Sequence, residues 1–240
     1  MQAKKISVMA GLMLIAVLGT AHHAMSQSAV TTYTKMAPVN QYLMADRDAE
    51  IALARSAAPK SIARDAEVQI LGHQGYETAV RGTNGFVCIV ARGWTSAPDA
   101  DFWNPKVRVP ICFNAPAARS YLLRLKKETE WGLAGRTQAQ ITEAVTAALE
   151  KKELPAMEPA AMCYMMSKQG YAGDSGPHWP SHLMYFYSDV DPATWGANLP
   201  GSPVLAVTDG AQHLTTFVTV VPKWSDGTEY HESSAAEHHH

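Results

Sequence analysis

Three β-rich runs follow one another with almost no chain between them, and this crowding restricts the fold more than any other feature. Residues 67–71, 76–81 and 86–92 are separated only by His73-Gln-Gly and by Gly82-Thr-Asn-Gly. Parallel neighbours need a crossover of a dozen or more residues, so links this short predict an antiparallel meander. Asn84-Gly85 in the second link is a strong hairpin signal, because both residues accept positive φ.

Helical periodicity flanks these runs. Leu43, Ile51, Ala54 and Ala58 share one face of a helix expected over residues 41–57, which Pro59 ends. Residues 93–110 read as a loop, and 109–114 as an extended segment. Asn114 then reads as an N-cap with Pro116 in the first turn of a helix reaching about Trp131. Thr137-x-x-Gln140 is a capping box for a second helix that runs to Lys152. Residues 154–159 form a linker. Apolar or β-branched runs at 161–167, 182–187, 204–208 and 215–221 complete the set of strands. Strands, then helices, then strands predict an α+β fold: one mostly antiparallel sheet with about three helices packed on it, in a single domain over residues 41–224. Residues 27–40 read as a flexible leader and 225–240 as a disordered tail. The basic run Arg124 to Lys127, with Glu128 and Glu130 behind it, reads as a solvated helix face.

The first 26 residues carry an address. Lys4 and Lys5 precede an apolar run over residues 6–19, and Ala24-Met25-Ser26 offers small residues to a signal peptidase. That predicts cleavage before Gln27 and a periplasmic or secreted protein with no membrane span afterwards. The leader takes two lysines and no acid with it, so the formal charge moves from −2 to −4. A mildly acidic surface argues against nucleic acid as a partner. In an oxidising compartment the three cysteines predict one bridge, Cys88–Cys112, with Cys163 left as a small core residue.

Chemistry concentrates between Tyr171 and Met184, where an acid, a hydroxyl and two histidines lie close together. One reading is a metal-dependent hydrolase with zinc on His178 and His182, completed by Asp174, His213 or His73. Pro180 lies between the two histidines and excludes the helix on which their spacing would matter. Another uses Ser175 as a nucleophile with His73 and Asp99 or Asp101. Gly173-Asp-Ser-Gly-Pro is similar to the motif of trypsin-like serine proteases, but it lacks a glycine, and Leu-Gly-His73-Gln-Gly does not match their base motif. No lipase elbow, phosphate loop or dinucleotide fingerprint is present. The favoured reading is non-catalytic binding of a small molecule or an envelope protein, with no cofactor. Tyr171, Asp174, His178, Trp179 and His182 would line the site where the 171–184 loop meets the 93–105 and 189–200 loops. Trp103 and Trp195 would be its apolar walls.

Asn84, Gly85, Cys88, Cys112, Tyr164, Met165, His182 and Met184 fall within segments that resemble a set of exported bacterial hypothetical proteins, over residues 40–222. Ser181 stands where a distant part of that set has proline. The resemblance implies export and a single domain, and it implies no reaction.

Overall fold

The structure is a computed structural model that describes residues 33–96, 101–174 and 179–231. The leader over 1–26, Asp99, Ser175, His178 and residues 232–240 lie outside the described residues. Eight strands form one sheet: β1 (Glu67–Gly72), β2 (Gly75–Val80), β3 (Val87–Ala91), β4 (Val109–Phe113), β5 (Met162–Met165), β6 (His182–Tyr187), β7 (Val204–Asp209) and β8 (Leu214–Val220). Their order is β2-β1-β3-β4-β5-β6-β8-β7. The helices are α1 (Arg47–Arg55), α2 (Lys60–Ala63), α3 (Gly93–Ser96), α4 (Ala115–Arg119), α5 (Tyr121–Leu133) and α6 (Gln138–Glu150). The fold is α+β and mostly antiparallel, as the sequence implies.

One pairing differs. The 73–74 link closes an antiparallel β1–β2 hairpin, but β3 pairs with β1, in parallel, rather than with β2. A short link reverses the chain without making the two strands neighbours. Here residues 81–86 pass around the start of β1, so that β1 lies between β2 and β3. Thr83 N donates to Asp65 O (2.8 Å) and Glu67 N to Phe86 O (2.8 Å) along this bend. Gly82 makes it possible: a Cβ there would stand 2.1 Å from Glu67 N. Asn84 accepts from Phe86 N and donates to Ile62 O, so it shapes the bend instead of a hairpin.

The caps are where local chemistry places them. Asn114 accepts from Ala117 N to start α4, and Thr137 and Gln140 form the reciprocal box on α6. Alternation in the strands then builds two layers. On one face Val68, Ile70, Cys88, Val90 and Cys112 pack beneath Ala54, Ala57 and Ala63, whose small side chains let α1 and α2 lie close. On the other, Ile89, Ile111, Phe113, Cys163 and Phe186 pack under Ala117, Leu122 and Leu125. Each fully buried large side chain of that set contributes roughly 1.5–3 kcal/mol. A third cluster joins Ile141 and Val145 of α6 to Leu71, Trp94 and Phe102.

Two devices cross-link the α1 face. Cys88 and Cys112 lie directly opposite on β3 and β4 and are disulfide-bonded. Beneath α1, Arg92 donates to Glu50 (2.8 Å) and to the carbonyl of Tyr42 (2.7 Å), with both charged side chains fully buried. At the β7 edge, the Asn198 side chain bonds both N–H and C=O of Ala206 (2.9 Å each), and its own N–H reaches the carbonyl of Val204. Among the described residues no helix is long and apolar enough to cross a membrane.

The ordered domain is wider than expected at both ends. Of the expected flexible leader, residues 33–40 pack on the body: Met36 joins the third cluster and Ala37 N donates to Tyr42 Oη. Of the expected tail, residues 225–231 form a turn in which Trp224 meets Tyr230 edge-on at 5.2 Å. Ser225 N donates to Met166 O and Lys168 pairs with Asp226 at 2.8 Å.

Candidate functional site

Of the residues singled out in the 171–184 segment, Tyr171 and Trp179 border one pocket, and Asp174 is tied into a cluster beside it. Tyr171 Oη and Tyr33 Oη (2.8 Å) both donate to the Asp174 carboxylate, and Asp174 N donates to Asp101 Oδ1 (3.2 Å). The Tyr171 hydroxyl, then that of Tyr33, hold the Asp174 carboxyl below the usual carboxylate range. Burial and the bond to Asp174 push the Tyr33 hydroxyl up to about 12. The bond to Asp174 and burial do the same for Tyr171. Both carboxylate oxygens are thereby engaged, and the cluster straps residue 33 to the 171–174 loop. The expected meeting with the 93–105 loop is present through Asp101.

The rest of the expected wall is elsewhere. Trp103 is buried in the third cluster, and its carbonyl accepts from Tyr42 Oη at 2.9 Å. Its side chain packs into the core beside Phe102. Trp195 stacks on Phe217 (4.2 Å) and meets Tyr187 edge-on (5.4 Å), beside the end of β6 away from His182. Trp179 is exposed, 6.0 Å from the His182 ring. It shares with Tyr171 a small pocket of about 20 Å³ that Val109, Pro110, Met165 and Gly170 complete.

Two of the proposed metal ligands, His182 and His213, are likewise separated. His182 opens β6, whereas His213 lies beyond its other end and bonds Asp189 there (Nδ1 to Oδ2, 2.8 Å). Six strand residues put these two histidines roughly 20 Å apart, too far to share an ion. Among the described residues, no group of three or more His, Cys, Asp or Glu is placed to hold a metal. His73, the other histidine considered, bonds Asn40 (2.8 Å) in the exposed β1–β2 turn.

His182 itself is buried, and Nδ1 donates to the Pro180 carbonyl at 2.6 Å. Burial lowers its pKa from 6.5, against the opposing pull of that bond. The unfolded chain therefore takes up a proton that the folded chain resists, and the stability this histidine contributes is full above about pH 6.5 and declines below it. Urea midpoints are expected to fall as the pH drops from roughly 7.5 to 5, and His182→Gln to flatten part of that decline. A wild-type midpoint constant over this range would refute the assignment.

The groups best placed to meet a ligand lie on the helical face. A pocket of about 380 Å³ opens between α3, α5, α6 and the turn after β7, walled by Trp94, Tyr121, Arg124, Glu128, Asp209 and Gln212. Arg124 Nε donates to Glu128 Oε1 at 2.8 Å, and each side chain is only 12% exposed. The guanidinium lies 5.9 Å from the Tyr121 ring centroid, and that ring stacks on Phe186 at 3.9 Å. Burial pushes the Tyr121 hydroxyl up to about 12 and raises the Glu128 carboxyl against the pull of Arg124. Asp209 accepts from Gln212 N (3.1 Å), so its carboxylate caps the turn that carries Gln212.

Behind the pocket surface, Arg124 Nη1, Trp94 Nε1 and Gln212 Oε1 are buried and find no hydrogen-bond partner among the described residues. Each such orphan costs about 1–3 kcal/mol. Reading Arg124 and Glu128 as a solvated face is thus corrected; only Lys127 and Glu130, paired at 2.7 Å, are exposed there. The buried stripe of this helix is Leu122, Leu125, Thr129 and Gly132, and Glu128 lies beside it. No protein-family model, curated protein or solved structure matches this chain.

Proposed function

We propose that this is an exported, non-catalytic binding protein that holds a small polar molecule in the pocket between α3, α5 and α6. The observation that carries the reading is the mostly polar lining of that pocket, where the Arg124–Glu128 pair, Thr142 and Asp209 bring donors and acceptors together. A few convergent polar groups in a concave site mark a place for a complementary guest. Export is supported by the basic, apolar and small-residue order of the first 26 residues and by the cross-strand disulfide. An interior ion pair already engages Arg124, which favours retention of a ligand over acid–base turnover.

The test is a thermal-shift screen of neutral monosaccharides, polyols and amino acids, followed by calorimetric titration of any compound that stabilises the protein. Arg124→Gln is expected to weaken its binding about tenfold or more, the worth of a hydrogen bond from a charged donor. Lys127→Gln, on the solvated side of the same helix, is expected to leave it unchanged. A screen with no stabilising compound, or equal affinity in the Arg124→Gln protein, would remove the proposal.

A further inference from the structure

A second pocket, of about 440 Å³, shares Gln212 with the first. Its walls are of the opposite character: Leu149 at the end of α6, then Leu154, Pro155, Ala156 and Met157 of the following link. Besides Gln212, its polar side chains are Ser188, Lys152 and the Asp189–His213 pair. Ser188 Oγ accepts from Met157 N (3.2 Å) and so ties the link to the end of β6. Asp189, His213 and Lys152 all have left-handed backbone (φ 50°, 49° and 59°). Three side-chain-bearing residues in that sparsely populated region around one pocket mark a locally constrained surface.

Both pockets lie along α6. Thr142 borders the polar one and Leu149 the apolar one, about 10 Å apart along the helix axis. Gln212 is buried between them and borders both. In the polar pocket one cation faces two carboxylates, Glu128 and Asp209, which disfavours an anionic guest. Donors beside acceptors on its walls, Arg124 and Thr142 with Glu128 and Asp209, suit a guest that both donates and accepts, as hydroxyl groups do.

The geometry points to a single-chain amphiphile as the ligand, with a neutral hydroxylated head in the polar pocket and an alkyl tail passing Gln212 into the apolar one. This rests on the binding reading above and extends it to the chemical class of the guest.

Alkyl glucosides of increasing length, titrated calorimetrically below their micelle thresholds, test it. Affinity is expected to rise about three- to fourfold per methylene from methyl to octyl, the worth of burying each group. Ala156→Trp, which fills the tail pocket from its exposed rim, and Leu149→Gln are each expected to flatten that slope while leaving methyl glucoside binding unchanged. A wild-type series with no dependence on length overturns the inference without recourse to any variant. If methyl glucoside still binds in that case, the head pocket and the binding reading stand. A slope untouched by both substitutions places the tail elsewhere and also overturns it. Octanoate bound as tightly as octyl glucoside removes the neutral head. If no glucoside binds while another compound of the earlier screen does, the amphiphile alone is wrong.

Discussion

Glu50→Ala is expected to lower the free energy of unfolding by about 3–5 kcal/mol, because it strands a guanidinium in the core. Glu50 sits in the first turn of α1, 1% exposed, and accepts from Arg92 Nη2 (2.8 Å) and from Leu71 N (3.3 Å). Arg92 is fully buried, and its other nitrogens serve the carbonyls of Tyr42 (2.7 Å) and Val90. One ion pair thus holds α1, β1, β3 and the 33–46 segment together. Replacing both charges, as Glu50→Leu with Arg92→Met, is expected to be milder than Glu50→Ala, since no charge is then left unpaired. Recovery will be partial: the Tyr42 carbonyl loses its donor, while that of Val90 keeps Tyr76 Oη at 2.8 Å. Urea denaturation of the two variants and the parent measures this. A loss below about 1 kcal/mol for Glu50→Ala would show that the charge escapes to water and that the pair is not structural.

The second large effect is expected from the disulfide. Cys88→Ala with Cys112→Ala removes a bridge across 24 positions, which restricts the unfolded chain by about 3 kcal/mol. Chemical reduction of the parent should give the same loss. The third cysteine cannot compensate: Cys163 packs against Phe113 on the opposite face of the sheet from the bridge. Burial also raises its thiol pKa far above the usual range, which keeps it protonated and unreactive while the fold persists. Alkylation without reductant is therefore expected to modify one thiol in the denatured protein and none in the native one. Three modified thiols after denaturation would mean that the bridge never formed, and equal stability with and without it would place the constraint elsewhere.

What the sequence made legible follows the range of the interaction involved. The Asn114 and Thr137 caps depend on residues a few positions apart, and both are formed. The strand runs are each half or wholly covered by a layer, so their composition betrays them. The parallel β1–β3 pair was not legible, since the 81–86 link fixes only the reversal of direction. What separates the strands is the absence of a side chain at Gly82, a steric fact that exists only once β1 is in place. The ligand-facing groups were hidden for a related reason. A charged run on a helix is solvated by default, and Arg124 and Glu128 become interior only because α3, α6 and the 209–212 turn close over them. The histidines of the 171–184 segment attracted attention by their proximity in sequence, yet the one described is a buried, neutral-favouring residue at the start of a strand. Tyr33 and Met36 were read as leader because two isolated anchors produce no period, although each finds a partner in the body.

The side chain of Asn198 does at the β7 margin what another strand would otherwise do. By occupying the N–H and C=O of Ala206 and leaving its own amide on Val204, it removes the template that a neighbouring molecule needs for backbone zippering. Leu205 and Val207 stay exposed on that same strand, apolar and ready to seed fibrils were the rim unguarded. A single carboxamide thus shields a greasy margin from edge-to-edge association.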